Sequence, residues 1–377
     1  MSRKWFLKWL IIGAIIVLAV ILRCALFGYR SSDYILFLNP WYGFIKSHGG
    51  FAALKYPFGD YAVSYLYLLA LATYIPFSNI VVIKSISIIF DLVLALFTYL
   101  IVRLKYEKTF IAIFAVLLIL FTPTVFINSA LWGQSDSIYT SFSVGGLYFL
   151  LRKQSIWAFV LFGLAISFKL QAIFLFPLLF VLLITKQVHI KYFVIIPGVF
   201  LISILPAYFL GRGLMDLLNI YPVQMNEYHG LNLFAPNIFQ WIPPTSLKFW
   251  RTVGILLAFS AVVILSLVVL ASRRKVTNAI ILKLAFIFVL IVPFLLPGMH
   301  ERYFYLADVI SLIYAFYFPD YFYVVILIQI SSLLSYISFL MGIINLQYVA
   351  LLPLGLIVVT VWDLLKTLYS PPQDGVD

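Results

Sequence analysis

YAVSYLYLLALATYIPFS, residues 61–78, decides how the rest of this 377-residue chain is threaded. The apolar run from Tyr61 to Ile75 falls short of the roughly 20 residues a helix needs to cross ~30 Å of hydrocarbon, and it stops at Pro76-Phe77-Ser78. Counting it as a span would invert everything downstream and put Arg103, Lys105 and Lys108 outside, with most later basic connections. Polytopic proteins keep Lys and Arg in their short cytoplasmic connections. The run is therefore read as an external, partly embedded helix. With that reading Arg3/Lys4/Lys8, Arg103/Lys105/Lys108, Arg152/Lys153, Lys186/Lys191, Arg273/Arg274/Lys275 and Lys366 all sort onto one side.

The composition requires a bilayer. Hydrophobic residues make up 64% of the chain and charged residues 10%, in repeated apolar runs. A soluble fold is excluded. The formal charge of +12 sits in connections between those runs, so it reads as the positive-inside signature and not as a nucleic-acid surface. The one cysteine, Cys24, lies in the first apolar run, which rules out an intrachain disulfide or a Cys-based metal site. MSRKWFLKWL has the basic start of a signal peptide, but the apolar part continues to Phe27 and no clean small-x-small cleavage site follows. It is read as a retained first span.

Apolar length then predicts an all-α polytopic protein of about twelve transmembrane helices with both termini cytoplasmic. The segments are 5 to 27, 79 to 102, 109 to 127, 137 to 151, 155 to 168, 172 to 185, 192 to 210, 251 to 271, 279 to 296, 303 to 318, 321 to 341 and 348 to 366. Residues 1–366 read as a single transmembrane domain with a first outer loop at 28–78 and a late outer loop at 211–250. Residues 367–377 have the composition of a disordered cytoplasmic tail. Within the first loop Tyr34, Leu38, Trp41 and Ile45 fall at the spacing of an amphipathic helix lying along the interface.

Three polar islands interrupt the apolar pattern: SDY at 32–34, WGQSD at 132–136 and MHER at 299–302. Charged groups beside hydrocarbon are tolerated mainly where they line a wet cavity or meet a partner. On this topology all three emerge on the extracytoplasmic face, as does Asp60. The bland readings are an Asp helix cap at Asp33 or Asp136, an interfacial anchor at Trp132, and an Arg302 that snorkels to headgroups. Consecutive His300, Glu301 and Arg302 cannot all face one way, so at least one meets protein while the others face a cavity. In SFKLQ, 167–171, Lys169 and Gln171 stand at the outer junction of two spans, where Lys169 is either a phosphate donor or a snorkelling side chain. Asp91, with Lys84 two turns away, is read as a helix-pairing group and set outside the site.

In order and spacing these segments resemble the GT-C polyprenyl-phosphate-sugar glycosyltransferases. The likeness is to prokaryotic mannosyltransferase-like proteins related to the GPI-anchor mannosyltransferases and, more distantly, to the ALG-type glucosyltransferases. SDY resembles the first outer-loop acidic motif, FGDYAVSYLYLL that loop's end, WGQSD the second motif, FKLQAIFLFP the FK-Q segment, and MHERYFY the late His-Glu-basic motif.

The resemblance implies inverting transfer of a hexose, with mannose favoured, from a polyprenyl-phosphate donor to a hydroxyl of a lipid-linked glycan or protein. The reaction would run on the extracytoplasmic face of a prokaryotic plasma membrane, with no cofactor. Asp33 would be the general base, and Arg302, His300 and Lys169 would hold the donor phosphate. Asp136, Gln134, Trp132, Tyr34, Asp60, Glu301 and Gln171 would contact sugar or acceptor, Asp136 alternatively orienting a partner side chain. Metal-dependent relatives carry an acidic pair where this chain reads Gln134-Ser135-Asp136, so no metal is expected. A lipid-linked polysaccharide ligase or polymerase and a secondary transporter are the rival readings; the oligomeric state is left open.

Overall fold

The computed structural model describes residues 3–227, 230–243, 245–342 and 345–370. Its architecture is all-α, as the apolar lengths predict, with one two-residue parallel strand pair. The chain divides into two compact units, 1–172 with 191–228, and 173–190 with 229–377. The first contains α1 (Arg3–Ala25), α2 (Asn39–Ser47), α3 (Val63–Ala72), α4 (Asn79–Lys105), α5 (Thr109–Phe121), α6 (Pro123–Phe126), α7 (Asp136–Leu151) and α8 (Ser155–Phe168). After α9 (Phe176–Ile184), which belongs to the second unit, the first resumes with α10 (Ile195–Phe209), α11 (Leu214–Leu218) and α12 (Ile220–Glu227).

Each of the twelve expected segments is helical. Among the described residues seven helices are long and apolar enough to cross a membrane, or eight if one bent pair is a single span. Several expected segments are shorter and buried by their neighbours. Helix α7, between α4 and α8, is the clearest case. Gly145 and Gly146 let the neighbours close in: a Cβ would stand 2.8 Å from the Phe97 ring at the first and 2.9 Å from the Phe162 ring at the second. Two of its serines return their hydroxyls to the helix, Ser141 to the Ile138 carbonyl and Ser143 to that of Tyr139, while Ser137 donates to the Ser87 carbonyl of α4, which makes a polar helix tolerable in an apolar setting.

Helix α3, the segment that decided the threading, has ten residues. At 1.5 Å per residue it measures about 15 Å, half of a bilayer core. It packs against the first loop through Tyr65, Leu66, Leu69 and Ala70, all at most 1% exposed.

Two local breaks differ from the expectation. The run 109 to 127 was expected as one straight span; instead α5 stops at Phe121, Thr122 is extended ahead of Pro123, and the next piece continues to Trp132 at a 49° bend. Proline disfavours helical backbone in the residue before it, which places the break. In the first loop Tyr34–Leu38 forms a π-helical turn before α2. The buried residues are Tyr34, Leu38, Tyr42 and Ile45, with the expected Trp41 only partly buried against the same cluster. Trp41 also packs against Tyr61, ring centroids 5.2 Å apart.

The second unit holds α9, α13 (Leu247–Ala271), α14 (Asn278–Leu295), α15 (Tyr305–Tyr317), α16 (Tyr323–Met341), α17 (Leu346–Val349) and α18 (Leu351–Tyr369). Strands β1 (Asn232–Leu233) and β2 (Met299–His300) pair in parallel. Ser335 on α16 donates to the carbonyls of Phe234 and Glu301, tying both connections to one helix. Helix α18 runs past the expected boundary at 366; residues 371–377 of the expected tail lie outside the described residues.

Candidate functional site

Two irregular segments meet in the first unit: the stretch from the end of α1 to the π turn, and the stretch from Pro123 to the start of α7. Ser31 joins them, accepting from the Tyr34 amide at 3.1 Å and donating to the Trp132 carbonyl at 2.7 Å. This brings Asp33 to Trp132 and Gln134. The Trp132 indole donates to Asp33 Oδ2 at 2.8 Å, and the Gln134 amide donates to the same oxygen. Gly133, at φ +83°, makes the tight turn between the two donors, a left-handed conformation in which a side chain would be strained. Trp132 is fully buried and Gln134 is 2% exposed, whereas Asp33 is half-buried. The carboxylate thus has two buried donors on one oxygen and still reaches the surface.

The network continues outward from Gln134. The Tyr61 hydroxyl donates to Gln134 Oε1 at 3.0 Å, and the Lys169 ammonium lies 5.6 Å from the Tyr61 ring centroid. Lys169 Nζ meets Asp136 Oδ1 at 2.5 Å, and Asn128 donates to Asp136 Oδ2 at 2.9 Å. Asp136 opens α7, where the helix N-terminus favours a carboxylate. It has no exposed surface. Of its two expected roles, orienting a partner fits this geometry, and the partner is Lys169.

Other expected residues fall elsewhere. Tyr34, expected at the sugar, is buried in the loop core and its hydroxyl donates to Asn39. Gln171 is 8% exposed, and its Oε1 has no partner among the described residues. Asp60 takes Gln224 on its backbone carbonyl and lies beside Glu227. Burial first, then the charge of Asp60, pushes the Glu227 carboxyl above its ordinary value.

In the second unit β2 and the turn after it carry His300, Glu301 and Arg302. Glu301, expected as a sugar contact, is fully buried; its Oε1 accepts from Arg302 Nη1 at 2.5 Å and its Oε2 is 3.5 Å from His300 Nδ1. Burial pushes Glu301 up, but the Arg302 guanidinium and His300 outweigh that and hold it below its ordinary value. It is the member of the triplet that faces protein, and it orients the other two.

Sequence reasoning missed Tyr61, Asn128 and Arg212. Tyr61 stood inside a quoted motif, and Asn128 precedes Asp136 by about two helical turns. Arg212 is 5% exposed; its Nε and Nη1 have no partner among the described residues, and burial lowers its pKa against the opposing pull of Asp216. Among the described residues no three His, Cys, Asp or Glu side chains gather closely enough to hold a metal ion.

Long apolar helices, broken where polar motifs emerge, make this an integral multi-pass membrane protein. A family described as dolichyl-phosphate-mannose-protein mannosyltransferase matches residues 60–209, a segment that includes Tyr61, the Trp132–Asp136 motif and Lys169. The crystal structure of ArnT from Cupriavidus metallidurans bound to undecaprenyl phosphate has a similar fold, with a TM-score of 0.56 at 13% identity over 98% of this chain and 78% of that one. No curated protein matches in sequence. Residues 60–209 are thus similar to that family, and the chain as a whole shares the ArnT fold.

Proposed function

We propose that the protein is an inverting glycosyltransferase that moves a hexose, mannose in first place, from a polyprenyl-phosphate donor to an acceptor hydroxyl on a lipid-linked glycan or protein. The reaction is assigned to the extracytoplasmic face, with both termini cytoplasmic. The observation that carries the reading is the Asp33 carboxylate, half-buried and held at Oδ2 by Trp132 and Gln134. The name of the matched family favours mannose, and the lipid phosphate bound to ArnT favours a polyprenyl carrier.

The acceptor oxygen attacks the anomeric carbon as the bond from that carbon to the phosphate oxygen breaks. The polyprenyl phosphate leaves with the bonding pair, and the acceptor proton passes to Asp33. A single displacement inverts the anomeric centre. Phosphate is already an adequate leaving group, so the remaining need is positive charge for its oxygens. In the first unit that charge is assigned to Lys169, oriented by Asp136. Arg302 and His300, which the late motif assigns to the donor phosphate, lie in the second unit, where Glu301 orients the Arg302 guanidinium, whose planar fork suits a phosphate.

The test is incubation of purified protein with labelled polyprenyl-phosphate mannose, and separately with the glucose analogue, each with EDTA. Consumption of the mannosyl donor in EDTA is the expected result. No consumption of either donor, with substrate-dependent flux in liposomes, would overturn the reading in favour of a transporter.

A further inference from the structure

We infer that Lys84 is a positioning residue for the transfer, acting through the backbone that carries Asp33, Trp132 and Gln134. The inference rests on the reading of Asp33 as the base. Lys84 lies in the second turn of α4 with no exposed surface. Its ammonium donates to the carbonyls of Leu26 at 3.2 Å, Phe27 at 3.4 Å, Tyr29 at 2.7 Å and Leu131 at 2.9 Å. An ammonium has three hydrogens, so these acceptors share all of them. None is left for a substrate phosphate.

The four acceptors explain why a cation is buried here. Leu26, Phe27 and Tyr29 follow the end of α1, and Leu131 is near the end of the π-helical turn Ile127–Trp132. Helix ends leave carbonyls unmet and carry partial negative charge. One ammonium meets both ends at once. The chain leaving the first end carries Asp33, and the chain leaving the second carries Trp132 and Gln134. The lysine stem also underlies the turn between the donors: a Cβ on Gly133 would stand 3.6 Å from Lys84 Cγ and 3.8 Å from Cε.

Farther along α4 a second tie joins the same three segments. Asp91 Oδ2 accepts from Arg23 of α1 at 2.8 Å and from Ser129 of the π turn at 2.6 Å. Asp91 fixes the lateral register of the segments, and Lys84 sets their last residues before the site. Asp33, Trp132 and Gln134 meet across about a hundred residues of sequence, so their alignment depends on whatever holds both backbones.

The test is Lys84→Met in the purified full chain, assayed with labelled polyprenyl-phosphate mannose. A misplacement of about 1 Å at the base lowers kcat about a hundredfold, with the donor KM nearly unchanged, because substrate contacts are intact. On an Asp33→Asn background Lys84→Met adds no further loss. Wild-type kcat in folded Lys84→Met overturns the inference. So does a rise in donor KM at unchanged kcat, or a further loss on the Asp33→Asn background. If Lys84→Met fails to fold, Lys84→Gln, which keeps two donors, gives the same readings. Full activity of Asp33→Asn alone overturns the base assignment, while kcat of the folded Lys84 variant still decides whether the clamp is needed.

Discussion

Lys84 in the first unit and Lys283 in the second are both buried cations on long apolar helices, but their partners differ in kind. Lys283 meets Asp363 at 2.7 Å and the Thr367 hydroxyl at 2.7 Å, and Asp363 also accepts from Tyr314 at 2.8 Å and Tyr321 at 2.9 Å. Lys283, Tyr314, Asp363 and Thr367 stand on the regular helices α14, α15 and α18, so their network staples helix to helix. The partners of Lys84 are backbone carbonyls at two helix ends. A staple between regular helices supports stability. A cation committed to irregular backbone supports the placement of whatever that backbone carries, and here that is the candidate base with its donors.

The contrast can be broken most directly at Asp33. Asp33→Asn is expected to lower kcat about a thousandfold, within the range for loss of a general base, while the thermal midpoint in detergent stays near wild type. A fully active variant removes the catalytic half of the comparison. On the other side, Lys283→Met leaves Asp363 buried without its cation and should cost about 3–5 kcal/mol of stability. The kcat of the surviving folded protein should not change. A fall in kcat without a fall in stability would erase the difference between the two lysines.

Arg302→Lys sharpens the role of the second unit. It keeps the charge and loses the fork, so the donor KM should rise about tenfold while kcat changes less. An unchanged KM would leave Arg302 as a structural partner of Glu301. The smallest effect concerns Glu227. Its folded-state pKa lies above its ordinary value, so the folded protein holds more protons than the unfolded chain in the window between them. Stability should therefore fall as pH rises from the ordinary carboxylate range through the raised value. Glu227→Gln should flatten that part of a thermal midpoint profile, and an identical profile would show that the Asp60 pairing has no energetic weight.

The sequence by itself determined the apolar segments, because hydrophobic length is a local property that twenty neighbouring residues settle among themselves. It also marked the places where charged groups stand beside apolar runs, and it read the short apolar run at 61–75 as a loop helix. α3, at about 15 Å, has the length that reading needs. Tertiary structure decided which of those groups meet. That Tyr42 is fully buried and Trp41 only partly so is set by packing in the first loop, and hydropathy spacing alone does not rank the two. Glu301 and Asp136, both expected at sugar or acceptor and Asp136 alternatively as an orienting group, are each buried against a cation, which composition does not reveal. Lys84 was legible only as a charge in an apolar helix. Its acceptors are backbone carbonyls 47 to 58 residues away, and carbonyls carry no signature in a sequence. Which of them converge depends on where helices end in space, and that is settled by the fold.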